Sequence, residues 1–174
     1  MPSTARPVES ERMSLVAKAA INPLEGNADD INDGGAKVTS GPFWPEIRLA
    51  DLRLRMRLNG LVTTDRLNES ATEAVVYVNQ QLADWKFNQA GYAALEDVPA
   101  EVINDTTVLV FRYRRAVYTI AKALLTEGYR DFDTTAQGEK HAQALTSQID
   151  TLWRDGNWAI RDIQNLSRGL AELV

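Results

Sequence analysis

The sequence predicts an all-α protein, an antiparallel bundle of about four helices with a long extended N-terminal arm and a short C-terminal tail. Three observations predict it. Apolar residues recur at helical spacing through three long windows, polar caps and glycines bracket those windows, and the residues up to Pro42 show no such period.

The arm comes first. Met1 to Pro42 holds Pro2, Pro7, Pro23 and Pro42 and the run "EGNADDINDGGAK", and alone it cannot bury enough apolar surface to offset its ordering entropy. Within it, "MSLVAKAAI" is the stretch expected to order on a partner. The helical domain is expected over 43–168, with 169–174 as the tail.

"FWPEIRLADLRLRMRLNG" carries two periods. Leu52, Leu54, Met56 and Leu58 alternate with Arg53, Arg55 and Arg57 like a half-buried strand, while Leu49, Leu52 and Met56 form a helical stripe. Propensity favours a short helix ended by Asn59-Gly60, because Leu, Arg and Met are strong helix formers and no β-branched residue follows Ile47 before that stop.

The second helix is clearer. Leu67, Ala71, Ala74, Val75, Val78, Leu82 and Trp85 keep the helical period from a Thr63-Thr64 cap to a stop at Gly91. A loop, "YAALEDVPAEV", follows. Asn104 to Thr107 are expected to cap a third helix with the stripe Leu109, Tyr113, Ala116, Ile120, Ala123 and Leu124, and Gly128 lies near its end.

The last helix is expected to start around Asp133 to Thr135, with Leu145, Ile149, Leu152, Gly156, Ala159, Ile160 and Ile163 on one face. Trp153 sits on the edge of that face and Trp158 nearly opposite, beside Thr151, Arg154 and Arg161. Gly156 gives up about 1 kcal/mol of helix propensity relative to Ala, a cost that close approach of another helix would offset.

At 174 residues, 44% apolar and 25% charged, the chain has the composition of one globular domain. The absence of cysteine removes disulfide frameworks, thiolate nucleophiles and zinc ribbons together. No apolar run approaches the ~20 residues that span a bilayer, and "MPSTARPVESERM" has neither region of a signal peptide, so a soluble chain without its own export signal is expected. A net charge of −5 opposes adsorption to phosphate backbones. The charges are segregated, however. Thr106 to Thr126 carries only Arg112, Arg114, Arg115 and Lys122, whereas Tyr92 to Asp105 carries only Glu96, Asp97, Glu101 and Asp105, a division that suits head-to-tail self-association.

Catalytic patterns are poorly supported. "DFDTT", Asp131 to Thr135, fits the D-x-D-x-[TV] string of haloacid-dehalogenase-like phosphatases, but "LLTEGYR" precedes it where an apolar strand is required, and its carboxylates suit a helix N-terminus. His141 has no second His or Cys to share a metal or a proton relay and reads as a solvated or edge-packed residue. Nucleotide-binding glycine motifs and the nucleophile elbow are absent from the sequence, and no cofactor or metal is expected. "FRYRRAVY" interleaves basic and aromatic residues as nucleic-acid surfaces do, yet its arginines equally edge a core or meet a neighbour's carboxylates. The arginines of "RLRMRL" read the same way. Trp153 is expected in the core and Trp158 on a second contact surface.

In order along the chain, "FWPEI", "RMRL", "DVPAE", "FRYRRAV", "YRDFD", "IDTLWRD" and "WAIRDIQ" make Phe43 to Gln164 resemble the head-completion protein (GPL) family of temperate, contractile-tailed phages. The sequence departs from that pattern at the first helix, with Arg48-Leu49 in place of an Asp-Pro start. The resemblance implies a non-enzymatic adaptor in the virion neck, made in the host cytoplasm and placed beneath the portal protein after DNA packaging. It would form a closed ring of roughly twelve copies, retain the genome and offer a surface to the tail or neck protein below. Arg112, Arg114, Arg115, Arg154 and Trp158, with Phe43 and Trp44, would then serve subunit or partner contacts. Glu96, Asp97 and Glu101 would face the lumen, where carboxylates keep the packaged double-stranded DNA from sticking. The alternatives are a small helical DNA-binding protein using Arg112, Arg114 and Arg115, and a phosphatase built on Asp131.

Overall fold

Amphipathic stripes without β-branched runs close into helices wherever a second stripe is available to cover them. A computed structural model of the chain describes Leu24, residues 33–130 and residues 138–168, with side chains from 143 in the last stretch. In chain order these are β1 (Lys37–Val38), β2 (Ile47–Arg48), α1 (Leu49–Met56), α2 (Thr64–Gln81), α3 (Ala83–Phe87), β3 (Val102–Ile103), β4 (Thr106–Thr107), α4 (Val108–Arg130) and α5 (Gly138–Ile163), plus a 3₁₀ turn at Leu95–Asp97. The segment "DFDTT", the expected start of the last helix and the His141 side chain lie outside the described residues.

The expected all-α class is corrected to mainly helical. β1 pairs antiparallel with β2 in the register Lys37↔Arg48 and Val38↔Ile47, and β3 with β4 as Val102↔Thr107 and Ile103↔Thr106. Each ladder is two residues long, too short to write a period of two into the sequence. The first turns Val38 and Ile47 inward, while outside it the Glu46 carboxylate accepts from Lys37 Nζ at 2.6 Å and Arg48 Nε at 3.2 Å. The second is a hairpin closed by Asn104 and Asp105, whose φ of 49° and 58° are those of a type I′ turn. These two residues therefore make a hairpin rather than a helix cap. Thr107 caps α4 alone, its Oγ1 accepting from the Val110 amide at 3.3 Å.

α1 begins at Leu49 behind an extended Arg48 and buries Leu49 and Leu52. It ends before the expected Asn59-Gly60 stop. Arg57 turns left-handed at φ 54°, and the Leu58 amide reaches back to the Arg53 carbonyl at 3.0 Å, the closure of a Schellman motif. α2 starts where the sequence indicates, with the Thr63 hydroxyl accepting from the Arg66 amide at 3.4 Å. The single helix expected to reach Gly91 is divided at Leu82, and α3 ends at Phe87.

Three long helices make the core. α4 runs antiparallel to α5, as the pairs Arg112–Asp162, Ile120–Gly156 and Glu127–Trp153 require, and antiparallel to α2, as Tyr113–Asn79 requires near its start. α2 and α5 are consequently parallel, joined by Tyr77 Oη donating to Asn157 Oδ1 at 3.0 Å and Gln164 Nε2 donating to the Gln81 carbonyl at 2.8 Å. Gly156 marks a close approach of α5 to α4. A Cβ there would stand 2.7 Å from Ile120 Cγ1, so the helices meet at a distance that only glycine permits without a shift.

Residues 33–42, expected in the arm, are tied into this core. Arg53 forks onto Asp33 through Nε to Oδ2 at 2.6 Å and Nη2 to Oδ1 at 2.8 Å, and Nη1 donates to the Asn59 carbonyl at 3.0 Å. The Thr64 hydroxyl also donates to Asp33 Oδ1 at 2.9 Å, and both charged residues are buried. Further on, the Leu95 amide donates to the Phe43 carbonyl at 2.8 Å, and this bond hangs the 3₁₀ turn beside α4.

Candidate interaction surface

On α4, Phe111, Arg114, Arg115 and Tyr118 are spaced to share one side of the helix. The last turn of α1, with Arg55 and Met56, forms one wall beside them, and Ile103 and Asn104 of the hairpin form another, enclosing a groove of 580 Å³. Its apolar rim is open to solvent, with Phe111 51% and Ile103 54% exposed, while Tyr118 is 3% exposed at the floor. Burial raises the pKa of the Tyr118 hydroxyl and the nearby Asp51 carboxylate adds to this, whereas Arg114, Arg55 and Arg48 oppose it. Arg55, Arg114 and Arg115 line the groove and no carboxylate does, so it is positive.

The expected site residues divide. Arg114 and Arg115 line the groove. Arg112 does not: it points to α5, donating from Nη1 to the Asp162 carbonyl at 3.0 Å with Nε 3.9 Å from the Asp162 carboxylate. That carboxyl is held below its ordinary range first by hydrogen bonds from Arg168 and also by the charges of Arg168, Arg112 and Arg115. Trp158 does point away from the core, but it is half-buried under its own chain, with the Arg154 guanidinium 4.8 Å and that of Arg168 5.5 Å from the ring centroid.

Phe43 and Trp44 are each 6% exposed, and their rings are occupied within the chain. They meet edge to face at 4.9 Å, Trp44 stacks on Tyr113 at 4.8 Å, and Lys86 Nζ lies 5.3 Å from the Phe43 ring centroid and 5.7 Å from that of Trp44. Sequence spacing gave no sign of this, because the pair precedes the first helix and belongs to no periodic stripe. Tyr113 below them donates to Asn79 Oδ1 at 2.9 Å, and burial pushes its hydroxyl pKa far up.

Glu96, Asp97 and Glu101 are all exposed. Asp97 closes its own turn by accepting from the Ala94 amide at 3.0 Å, and Glu96 borders a hollow whose other rim is Arg114. The acidic and basic blocks of the sequence are therefore neighbours on one side of the fold. A different acidic surface stands apart from them: Asp65, Glu69 and Glu73, four residues apart on α2, form an exposed ridge with Val76, 43% exposed, at its end. The i, i+4, i+8 spacing is legible in the sequence, but only the fold shows that a helix presents it to solvent. Among the described residues no cluster of His, Cys, Asp and Glu could hold a metal ion, and no helix is long and apolar enough to cross a membrane.

Residues 38–174 match the family model described as phage head completion protein (GPL). The chain is similar to the head completion/stabilization protein of Escherichia phage P2, at 40% identity over 134 residues that cover 76% of this chain and 79% of that protein. It is also similar to the probable head completion/stabilization protein of Haemophilus phage HP1 (strain HP1c1), at 21% identity over 154 residues, 87% of this chain and 99% of that one. No solved structure matches the chain. The matched segment begins in β1, so every helix described above lies within it.

Proposed function

Because the chain belongs to the phage head completion protein (GPL) family, a family of structural head proteins, we propose that it acts as a head-tail adaptor subunit, forming a closed ring beneath the portal protein in the virion neck. The ring retains packaged DNA and carries the surface to which the tail or neck protein is joined. One observation supports this most directly. The groove beside α4 combines exposed apolar rims with cationic walls in a protein of net charge −5, which is what a protein partner with carboxylates fits and a phosphate backbone fits poorly.

A ring of roughly twelve copies needs a heterologous, closing interface, in which two different surfaces of each copy meet. Exposed Glu96, Asp97 and Glu101 suit a lumen, since carboxylates repel the duplex during its exit. Leu24 is held in this chain's own core, where its carbonyl accepts from the Asn59 amide at 2.8 Å, so residues 1–23 and the 169–174 tail are what dock on the portal or on a neighbouring copy. Electron microscopy of DNA-filled tailless heads made with and without this protein tests the proposal. Density below the portal in the first sample alone is the expected outcome, and its absence from both ends the adaptor reading.

A further inference from the structure

Among the described residues, the acidic ridge on α2 is complementary to the positive groove beside α4. Among the described residues Arg55, Arg114 and Arg115 have no carboxylate within ion-pair distance, and the same holds for Asp65, Glu69 and Glu73 on α2 with respect to cations. Each surface also carries exposed hydrocarbon, Phe111 and Ile103 in one case and Val76 in the other. A match of charge combined with apolar area is the composition of a specific protein interface.

The two surfaces do not meet within one copy, which leaves them for contact between copies. Tyr113 points from α4 to Asn79 of α2, and Phe111, Arg115 and Tyr118 lie about 140–200° around the helix from it. On α2, Asp65, Glu69, Glu73 and Val76 lie about 120–200° around from the buried Ala71. Groove and ridge are thus separate surfaces: α1 and the hairpin wall the groove, whereas Glu69 borders a different hollow with Leu124, Leu125 and Tyr129 near the other end of α4. Two different, complementary surfaces on one subunit generate a head-to-tail chain, which closes into a ring when the rotation per copy allows.

We infer that the groove bounded by Arg55, Phe111, Arg114 and Arg115 receives the α2 ridge Asp65, Glu69, Glu73 and Val76 of a second copy of this chain. This rests on the ring reading above and adds to it the two surfaces that meet.

A charge swap in the full-length chain tests the pairing. Arg55→Glu with Arg115→Glu makes both surfaces acidic, and Glu69→Lys with Glu73→Lys makes both basic. All four positions are exposed, so each variant should keep the wild-type far-UV circular dichroism spectrum. If a double variant loses helicity, the single changes Arg115→Glu and Glu69→Lys make the same swap. Each protein is added to purified DNA-filled tailless heads, and incorporation is measured by gel densitometry and electron microscopy. Like surfaces repel, so each variant alone should incorporate at least about tenfold less than wild type, whereas an equal mixture alternates around the ring and recovers to within about twofold.

A mixture no better than its components, with both folded, overturns the pairing while wild-type incorporation leaves the adaptor reading standing. Failure of the wild type itself to incorporate overturns both. If the arginine changes abolish duplex DNA binding while the Glu69/Glu73 variant incorporates normally, the groove is a nucleic-acid site and the pairing is wrong.

Discussion

Gly156 and Ile120 face each other where α5 crosses α4, and the side chain that glycine lacks is the reason the helices lie so close. Gly156→Ala adds about 1 kcal/mol of helix propensity but drives a methyl into a stiff, fully buried Ile120. Overpacking should win, with a net loss of about 1–2 kcal/mol in urea unfolding, and the added cost should shrink when Ile120→Ala is already present. The Arg53–Asp33 pair belongs to the same scale. Arg53→Ala leaves a buried carboxylate without its fork and should cost about 3–5 kcal/mol, part of which Arg53→Met with Asp33→Leu recovers.

That pair also makes stability depend on acid. Hydrogen bonds from Arg53 hold the Asp33 carboxyl below its ordinary range, so its contribution is complete above the unfolded value of about 3.9 and is lost as the pH falls through the lower folded value. The urea midpoint of the wild type should drop below pH 4 more steeply than that of Asp33→Asn. Equal slopes would mean that Asp33 ionises no more readily folded than unfolded.

Among the elements, the long helices were legible and their ends only partly so. The stripes on α2, α4 and α5 stand as spaced because each is long enough to show several periods, and Thr63 caps α2 because an extended threonine accepts the third amide wherever a helix follows. Thr63→Ala should therefore cost about 1 kcal/mol. The α1 terminus was read at Asn59-Gly60 because those residues favour a left-handed turn, yet Arg57 adopts it, since Leu58 is buried immediately after the helix. Arg57→Gly should relieve the left-handed strain and raise the urea midpoint, by about 1 kcal/mol in free energy, whereas Arg57→Val should lower it. The 102–107 hairpin was missed because Asn-Asp serves a helix cap and a type I′ turn equally well in one dimension.

For the whole molecule, the resemblance was read over Phe43 to Gln164, and the family model matches residues 38–174, which include that span. The net charge opposes duplex binding, and Arg112 is engaged with α5. In fluorescence anisotropy at 0.15 M salt the free chain should bind duplex no tighter than about 100 µM, the weak limit of non-specific binding, and a Kd near 1 µM would revive the DNA-binding alternative. Assembly held by charge on charge should weaken as salt is raised from 0.1 to about 0.5 M, because screening shortens the reach of exposed pairs. An increase in incorporation with salt would point to apolar contact alone.

The sequence by itself determined the three long helices, the second helix cap, the role of Gly156 and the family, because these depend on local spacing and on strings read in order. Tertiary structure alone decided which side each charge faces. It sent Arg112 to α5, stacked Trp44 on Tyr113 with Phe43 against Trp44, tied Asp33 to Arg53 and set the acidic loop beside the basic stripe. These outcomes turn on where distant segments meet, and a side chain's partner across twenty or more residues is fixed by packing and desolvation, neither of which leaves a periodic mark in the chain.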